Sequence, residues 1–326
     1  IIYNMRSVID TIDADFTGNS GTTIKNFDGT IGTIAGGKTF KDNQGGAQIM
    51  NLGSNTKASI GDITANFINN NNTSWDDGTI YNNNGTIGII SGIFDKNKVN
   101  NNGGAISNNG GSSIKGIEGT FTNNTASNSQ GGAIYNYNST IENIKQSLFD
   151  NNKAKGNGGA IFNIGKIDNI EGAFTNNTTE TGQGGAIYNN SANIGDITKS
   201  LFDNNKSSWE GGAIFNSAAS IGNIEGGFSN NSTSQGQGGA IYNNRAKIGN
   251  ITKSFFVNNK AKSNGGAIFN NNSTIGNIEG DFANNVTETG QGGAIFNNNA
   301  TIKNITGSFD GNFASNYGGG IWNDST

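Results

Sequence analysis

The feature that most constrains this chain is an internal repeat of about 27 residues. Eight copies contain the tetrapeptide Gly-Gly-Ala-Ile, and successive copies begin 26 to 28 residues apart. The tetrapeptide begins at Gly103, Gly131, Gly158, Gly184, Gly211, Gly238, Gly265 and Gly292. A fixed period of this length is typical of solenoids, in which each repeat buries its apolar face against the next. The sequence therefore predicts one continuous repeat domain over residues 1–326.

Two further motifs recur in every repeat. Ile-x-x-Ile and Phe-x-x-Asn each occur twelve times, separated by turns rich in Gly, Asn, Ser and Thr. Segments this short, β-branched and interrupted by glycine are typical of strands rather than helices. We therefore predict an all-β, single-stranded parallel β-helix of about twelve rungs, right-handed, in which each strand pairs with its equivalent about 4.8 Å away on the next rung.

A comparison of the copies indicates which side chains point inward. The isoleucine of Gly-Gly-Ala-Ile is nearly constant, whereas the next residue varies from Ser107 to Trp322 and is aromatic in most copies. We expect the isoleucine to lie in the core and the aromatic column to lie at or near the surface. Stacked asparagines are expected to bond their amides along the axis.

Charged residues follow a coarser rhythm of two rungs. Glutamate follows the second isoleucine at Glu118, Glu171, Glu225 and Glu279, and lysine lies in the alternate rungs at Lys145, Lys199 and Lys253. The lysine rungs carry one extra residue before the phenylalanine, which predicts a β-bulge. Opposite charges on neighbouring rungs stabilise a stack, and we interpret the alternation as a device for stability and register.

Composition excludes several classes of function. The net charge is −4 with only two arginines, which argues against nucleic-acid binding. Cysteine, histidine and proline are absent, so disulfides and thiolate metal sites are excluded. Aspartates such as Asp150 and Asp203 recur about 9–10 Å apart along the stack, but no histidine or arginine joins them, and turn formation accounts for them. We predict no catalytic residues, no metal site and no cofactor.

The pairing of Gly-Gly-Ala-Ile with Phe-x-x-Asn resembles the repeats of the chlamydial polymorphic membrane proteins and of related bacterial autotransporter passengers. The resemblance covers nearly the whole chain. It implies a surface-exposed β-helical passenger whose role is display and adhesion.

Exposed aromatic residues are the candidates for ligand binding. Trp75 and Trp209 lie just before the signature of their rung, where other rungs place Gly, Ser or Asn, and each is followed by an acid. A tryptophan beside an acid is suited to stacking on a sugar ring or to holding a protein. The predicted binding residues are Trp75, Trp209, Trp322, Tyr135, Tyr188 and Tyr242. The alternative is that the aromatic column only stabilises the solenoid.

The sequence leaves three functions open. The leading one is a non-enzymatic adhesin or passenger at the bacterial cell surface or outside the cell, with a host-cell protein or glycan as partner. The second is a structural solenoid that self-associates end to end through its rung ends, and the third is a polysaccharide-acting enzyme. We expect the chain to be part of a longer protein that meets a membrane only through an anchor outside this sequence.

Overall fold

The computed structural model describes residues 2–54, 56–74 and 77–324, and it confirms an all-β parallel solenoid. In these ranges the strands form one 29-stranded sheet and one 10-stranded sheet, and all pairings are parallel. Twelve phenylalanines stack in eleven successive steps, which gives about eleven turns. The handedness of the solenoid stays a prediction.

Three sets of strands make up the rungs. The signature strands begin at the isoleucine of Gly-Gly-Ala-Ile or its equivalent, and they are Ile2–Met5, Ile24–Phe27, Ile49–Leu52, Ile80–Asn83, Ile106–Asn109, Ile187–Asn190, Ile214–Ser217, Ile241–Asn244, Ile268–Asn271, Ile295–Asn298 and Ile321–Asp324. In two rungs the signature strand continues through the phenylalanine, in Ile134–Asp150 and Ile161–Thr175.

The second set carries Ile-x-x-Ile and the phenylalanine. Its strands are Val8–Ile12, Phe16–Thr17, Thr30–Ile34, Thr39–Lys41, Ala58–Ile63, Asn66–Ile68, Gly85–Asp95, Ser113–Thr122, Asn193–Asp203, Ser220–Ile221, Ile224–Ser229, Lys247–Ile248, Ile251–Val257, Thr274–Ala283, Thr301–Thr306 and Phe309–Asp310. The third set forms the smaller sheet and consists of two-residue strands: Asn71–Asn72, Lys98–Val99, Thr125–Ala126, Lys153–Ala154, Thr178–Thr179, Lys206–Ser207, Ser232–Thr233, Lys260–Ala261, Val286–Thr287 and Phe313–Ala314.

The core is a set of identical side chains stacked one rung apart. Ile197, Ile224 and the signature isoleucine Ile214 are fully buried, which confirms that isoleucine points inward. Phe202 and Phe228 stack with ring centroids 4.8 Å apart and planes 4° from parallel. This separation equals the spacing of strands in a sheet, so backbone pairing and ring stacking reinforce each other at every rung.

Two ladders of buried asparagine accompany the hydrophobic core. In the first, the signature asparagine donates to the next, as from Asn189 Nδ2 to Asn216 Oδ1 at 2.8 Å. In the second, the asparagine of Phe-x-x-Asn does the same, as from Asn177 Nδ2 to Asn205 Oδ1 at 3.0 Å. Amides that would be costly to bury alone are therefore paired along the axis, as the sequence predicts.

The Gly-Gly signature is required by close approach of the backbone. Gly184 has a φ of 66°, and a Cβ there would contact the carbonyl oxygen of Ile187. A Cβ on Gly185 would contact the carbonyl oxygen of Gly212 on the next rung. Only glycine fits such positions without displacing the stacked turns.

The predicted bulges are confirmed in the lysine rungs. The strand pairing shifts register between Ile144 and Ser147 and between Ile197 and Ser200. At each shift, two residues of the lysine rung lie opposite one residue of the neighbouring rung. Lys199 and Lys253 adopt φ values of 46° and 48° in these bulges. The buried Ser200 hydroxyl accepts a hydrogen bond from the Gly172 amide at 3.2 Å, so it satisfies a group that the shifted register leaves without a ladder partner.

Candidate functional site

Trp209 lies in the loop between Lys206–Ser207 and Ile214–Ser217, and 45% of it is exposed. Its amide donates to the carbonyl oxygen of Gly182 at 3.1 Å. The Ser207 hydroxyl donates to the carbonyl oxygen of Trp209 at 3.1 Å. The backbone of this tryptophan is therefore held by the preceding rung and by its own strand while the indole faces solvent.

The acid that follows Trp209 is also held in place. Glu210 Oε2 accepts a hydrogen bond from Gln183 Nε2 at 2.6 Å across one rung. The negative charge of Glu210 lies near the phenol of Tyr242. The pKa of Tyr242 is raised to about 12, mainly by burial of the phenol and then by this charge. The Trp209 loop therefore packs next to the aromatic column.

The second predicted loop tryptophan, Trp75, lies outside the described residues together with Asp76. Its role as a binding residue stays a prediction.

The remaining predicted residues, Tyr135, Tyr188, Tyr242 and Trp322, belong to one continuous stack with the phenylalanines between them. Tyr188 lies 5.0 Å from the ring of Phe162 and 4.8 Å from that of Phe215. Trp322 lies 4.4 Å from the ring of Phe296. Because a ring inside the stack, such as Tyr188, has neighbours on both faces, only its edge can meet solvent. Trp322 is the last ring described in the stack and is covered on one face by Phe296.

The prediction of a surface column is correct for only part of it. Tyr135, Tyr242 and Trp322 are partly buried, whereas Tyr188 is only 7% exposed and Ser107 is fully buried. The expectation is therefore wrong for Tyr188, for Ser107 and for the phenylalanines of the column, which are Phe162, Phe215, Phe269 and Phe296. For the aromatic residues, stacked neighbours cover the ring faces that an outward direction alone would leave open. Burial, followed by the charge of Asp77, also raises the pKa of Tyr135 to about 12.

The aspartates after the core phenylalanine bind the next rung. Asp150 Oδ1 accepts hydrogen bonds from Thr175 Oγ1 at 2.5 Å and Asn176 Nδ2 at 2.8 Å. Asp203 Oδ1 accepts one from Asn230 Nδ2 at 2.8 Å. These hydrogen bonds to the next rung account for the recurring aspartates as structural residues of the turns. Among the described residues, no group of three or more acidic side chains is placed to hold a metal ion.

Sequence reasoning missed one set of exposed residues. Leu201 and Phe255 directly precede a buried phenylalanine, and they are 39% and 44% exposed. Each lies on a rung with a bulge and a lysine. The sequence could have indicated this exposure. Leu201-Phe202 and Phe255-Phe256 are pairs of adjacent large apolar residues, and adjacent side chains of a strand point to opposite faces, so only one of each pair can lie in the core.

A family model for the Chlamydia polymorphic membrane protein repeat matches six successive segments of the chain. They are residues 118–137, 146–164, 172–190, 199–217, 228–244 and 253–271. These segments, about a third of the chain, are similar to the polymorphic membrane protein repeat. The resemblance drawn from the sequence motifs is confirmed for them, and each segment extends to the fourth residue of the following signature strand. Neither a curated protein nor a solved structure shows significant similarity to the chain.

Polymorphic membrane protein repeats indicate a surface or passenger protein, with a location at the outer membrane or cell surface. In the part of the chain that the structure describes, no helix has the length and apolar character needed to span a membrane.

Proposed function

We propose that this chain is a non-enzymatic adhesive passenger at a bacterial surface, and that Trp209 binds a glycan or protein of a host cell. The observation that carries the proposal is an exposed indole on an anchored backbone. Trp209 is 45% exposed although hydrogen bonds hold both its amide and its carbonyl. Little entropy is lost when a ligand stacks on such a ring.

The match to the polymorphic membrane protein repeat supports this proposal, because that resemblance implies a surface-exposed passenger. Glu210 follows Trp209 in the loop, and its carboxylate is oriented by Gln183. An exposed aromatic ring and an oriented acceptor in one loop suit the apolar face and the hydroxyl groups of a sugar ring.

The test is binding of the purified 326-residue chain to a glycan array and to host cells. Trp209→Ala is expected to reduce binding at least about tenfold, since a central aromatic anchor typically supplies more than 1.4 kcal/mol. Tyr317→Ala is the matched control, because Tyr317 is a loop aromatic that is 70% exposed on another rung. Equal binding by the wild-type chain and Trp209→Ala would refute the assignment of this loop.

A further inference from the structure

One side of the solenoid presents a regular row of outward residues just before the core phenylalanines. We call it the Lys–Glu face, and it comprises six rungs with Lys145, Glu171, Lys199, Glu225, Lys253 and Glu279, together with the residue that precedes each core phenylalanine. The latter residues pair in register from rung to rung: Leu148, Ala173, Leu201, Gly227, Phe255 and Asp281.

Size alternates along this row with a period of two rungs. The rungs with lysine carry Leu148, Leu201 and Phe255, and the rungs with glutamate carry Ala173, Gly227 or Asp281. A hollow of about 310 Å³ lies over Ala173, between Leu148 and Leu201. A second hollow of about 550 Å³ lies over Asp281, beside Phe255.

Charge alternates on the same rungs. Within one molecule Lys199 lies 3.8 Å from Glu171, and Lys253 lies 3.6 Å from Glu225. These contacts are long, and the two lysine side chains stay 73% and 72% exposed. Among the described residues, Lys145 and Glu279 have no ion-pair partner within 4.0 Å. Glu118 continues the alternation on the rung before Lys145, so these six rungs are part of a longer alternating row.

We propose that the Lys–Glu face binds a second copy of this chain, antiparallel, about a two-fold axis between the rungs of Phe202 and Phe228. This axis places each lysine rung of one copy opposite a glutamate rung of the other. Lys145 then meets Glu279, Glu171 meets Lys253, and Lys199 meets Glu225 across the interface.

Charge complementarity sets this alignment and is the strongest argument for a second copy as the occupant. Under this axis Leu148 faces the hollow over Asp281. The Phe255 ring lies over Gly227 of its own copy, so it meets Leu201 of the other copy, and two apolar contacts flank the axis. A shift by one rung would oppose like charge to like charge. A two-fold contact of this kind is closed and self-complementary.

The size of the face indicates a weak contact. Six rungs span about 29 Å along the axis at the strand spacing, which is short for a stable dimer interface. Association is therefore expected to matter where many copies are concentrated on one surface. This association uses the side of the solenoid rather than its ends, and it does not depend on the proposed function of Trp209.

Two triple variants test the proposal by sedimentation velocity over a range of protein concentrations. Lys145→Glu/Lys199→Glu/Lys253→Glu makes the face uniformly acidic, and Glu171→Lys/Glu225→Lys/Glu279→Lys makes it uniformly basic. Each variant alone is expected to self-associate at least about tenfold more weakly than the wild type, whereas an equimolar mixture regains association because the two faces are complementary. The matched control, Lys98→Glu/Lys206→Glu/Lys247→Glu, changes the same charge elsewhere and should associate as the wild type does.

Orientation is tested with single cysteines, because the chain contains none of its own. Lys145→Cys mixed with Glu279→Cys is expected to form a disulfide-linked dimer under mild oxidation, and Lys145→Cys alone is not. The two positions lie five rungs apart in one molecule, about 24 Å, so no bond can form within a copy. A wild-type chain that stays monomeric at all concentrations, or a mixture that does not regain association, would overturn the proposal.

Discussion

At the scale of single residues, the stability of this solenoid depends on buried asparagine side chains whose amide oxygen and nitrogen both have hydrogen-bond partners. Asn177 Oδ1 accepts from the backbone and side-chain amides of Asn152, each at 3.0 Å. Its Nδ2 donates to the Phe149 carbonyl at 2.9 Å and to Asn205 Oδ1 at 3.0 Å. Four bonds therefore converge on one fully buried side chain, and its removal leaves several buried polar groups without partners.

Asn177→Ala is expected to lower the free energy of unfolding by about 3 kcal/mol, because each buried group left unsatisfied costs roughly 1–3 kcal/mol. Urea denaturation followed by circular dichroism measures the change. Asn143→Ala is the control, since the one side-chain hydrogen bond of Asn143 to another described residue is an exposed bond that it accepts from Asn169, and the expected effect is below about 0.5 kcal/mol. Equal effects of the two variants would contradict a structural role for the buried ladder.

At the scale of elements, neighbouring two-residue strands are joined by a charge clamp outside the core. Glu288 follows Val286–Thr287 and lies 2.5 Å from Lys260 and 2.8 Å from Lys262 of the preceding rung. Two lysines of one rung therefore hold a single carboxylate of the next rung. Hydrogen bonds from these two lysines lower the pKa of Glu288 to about 2.

This pKa predicts how the clamp responds to pH. Because folding depresses the pKa of the carboxyl, the clamp stabilises the fold above pH 4.5, the unperturbed value, and its contribution is lost as the pH falls towards 2. Glu288→Gln is expected to lower the thermal midpoint at neutral pH, and the difference from the wild type should shrink between pH 4.5 and 2. Glu118→Gln, the same change of charge on another rung, serves as the control. A difference that stays constant over this range would show that Glu288 acts by packing rather than by charge.

At the scale of the whole molecule, the period of the sequence was sufficient to predict the architecture. A constant isoleucine, a constant phenylalanine and one extra residue in alternate rungs predict the core, the ladders and the bulges, because stacked rungs repeat each local environment. Exposure was harder to predict. The low exposure of Tyr188 depends on rings from the rungs on either side, which are contacts between repeats. Two adjacent apolar residues in the sequence could have indicated that Leu201 and Phe255 are exposed, but their alignment in one row with Leu148 depends on the register between rungs.

The dimensions of the particle distinguish association through the Lys–Glu face from association through the rung ends. Twelve rungs make a rod of about 58 Å at the strand spacing. The proposed two-fold axis lies between the eighth and ninth rungs, so two copies overlap and together span sixteen rungs, about 77 Å, with a larger cross-section. End-to-end association would instead give about 115 Å with an unchanged cross-section. Small-angle X-ray scattering at increasing protein concentration measures both quantities. We expect the cross-section to grow faster than the length, and a doubling of length alone would favour the rung ends over the Lys–Glu face.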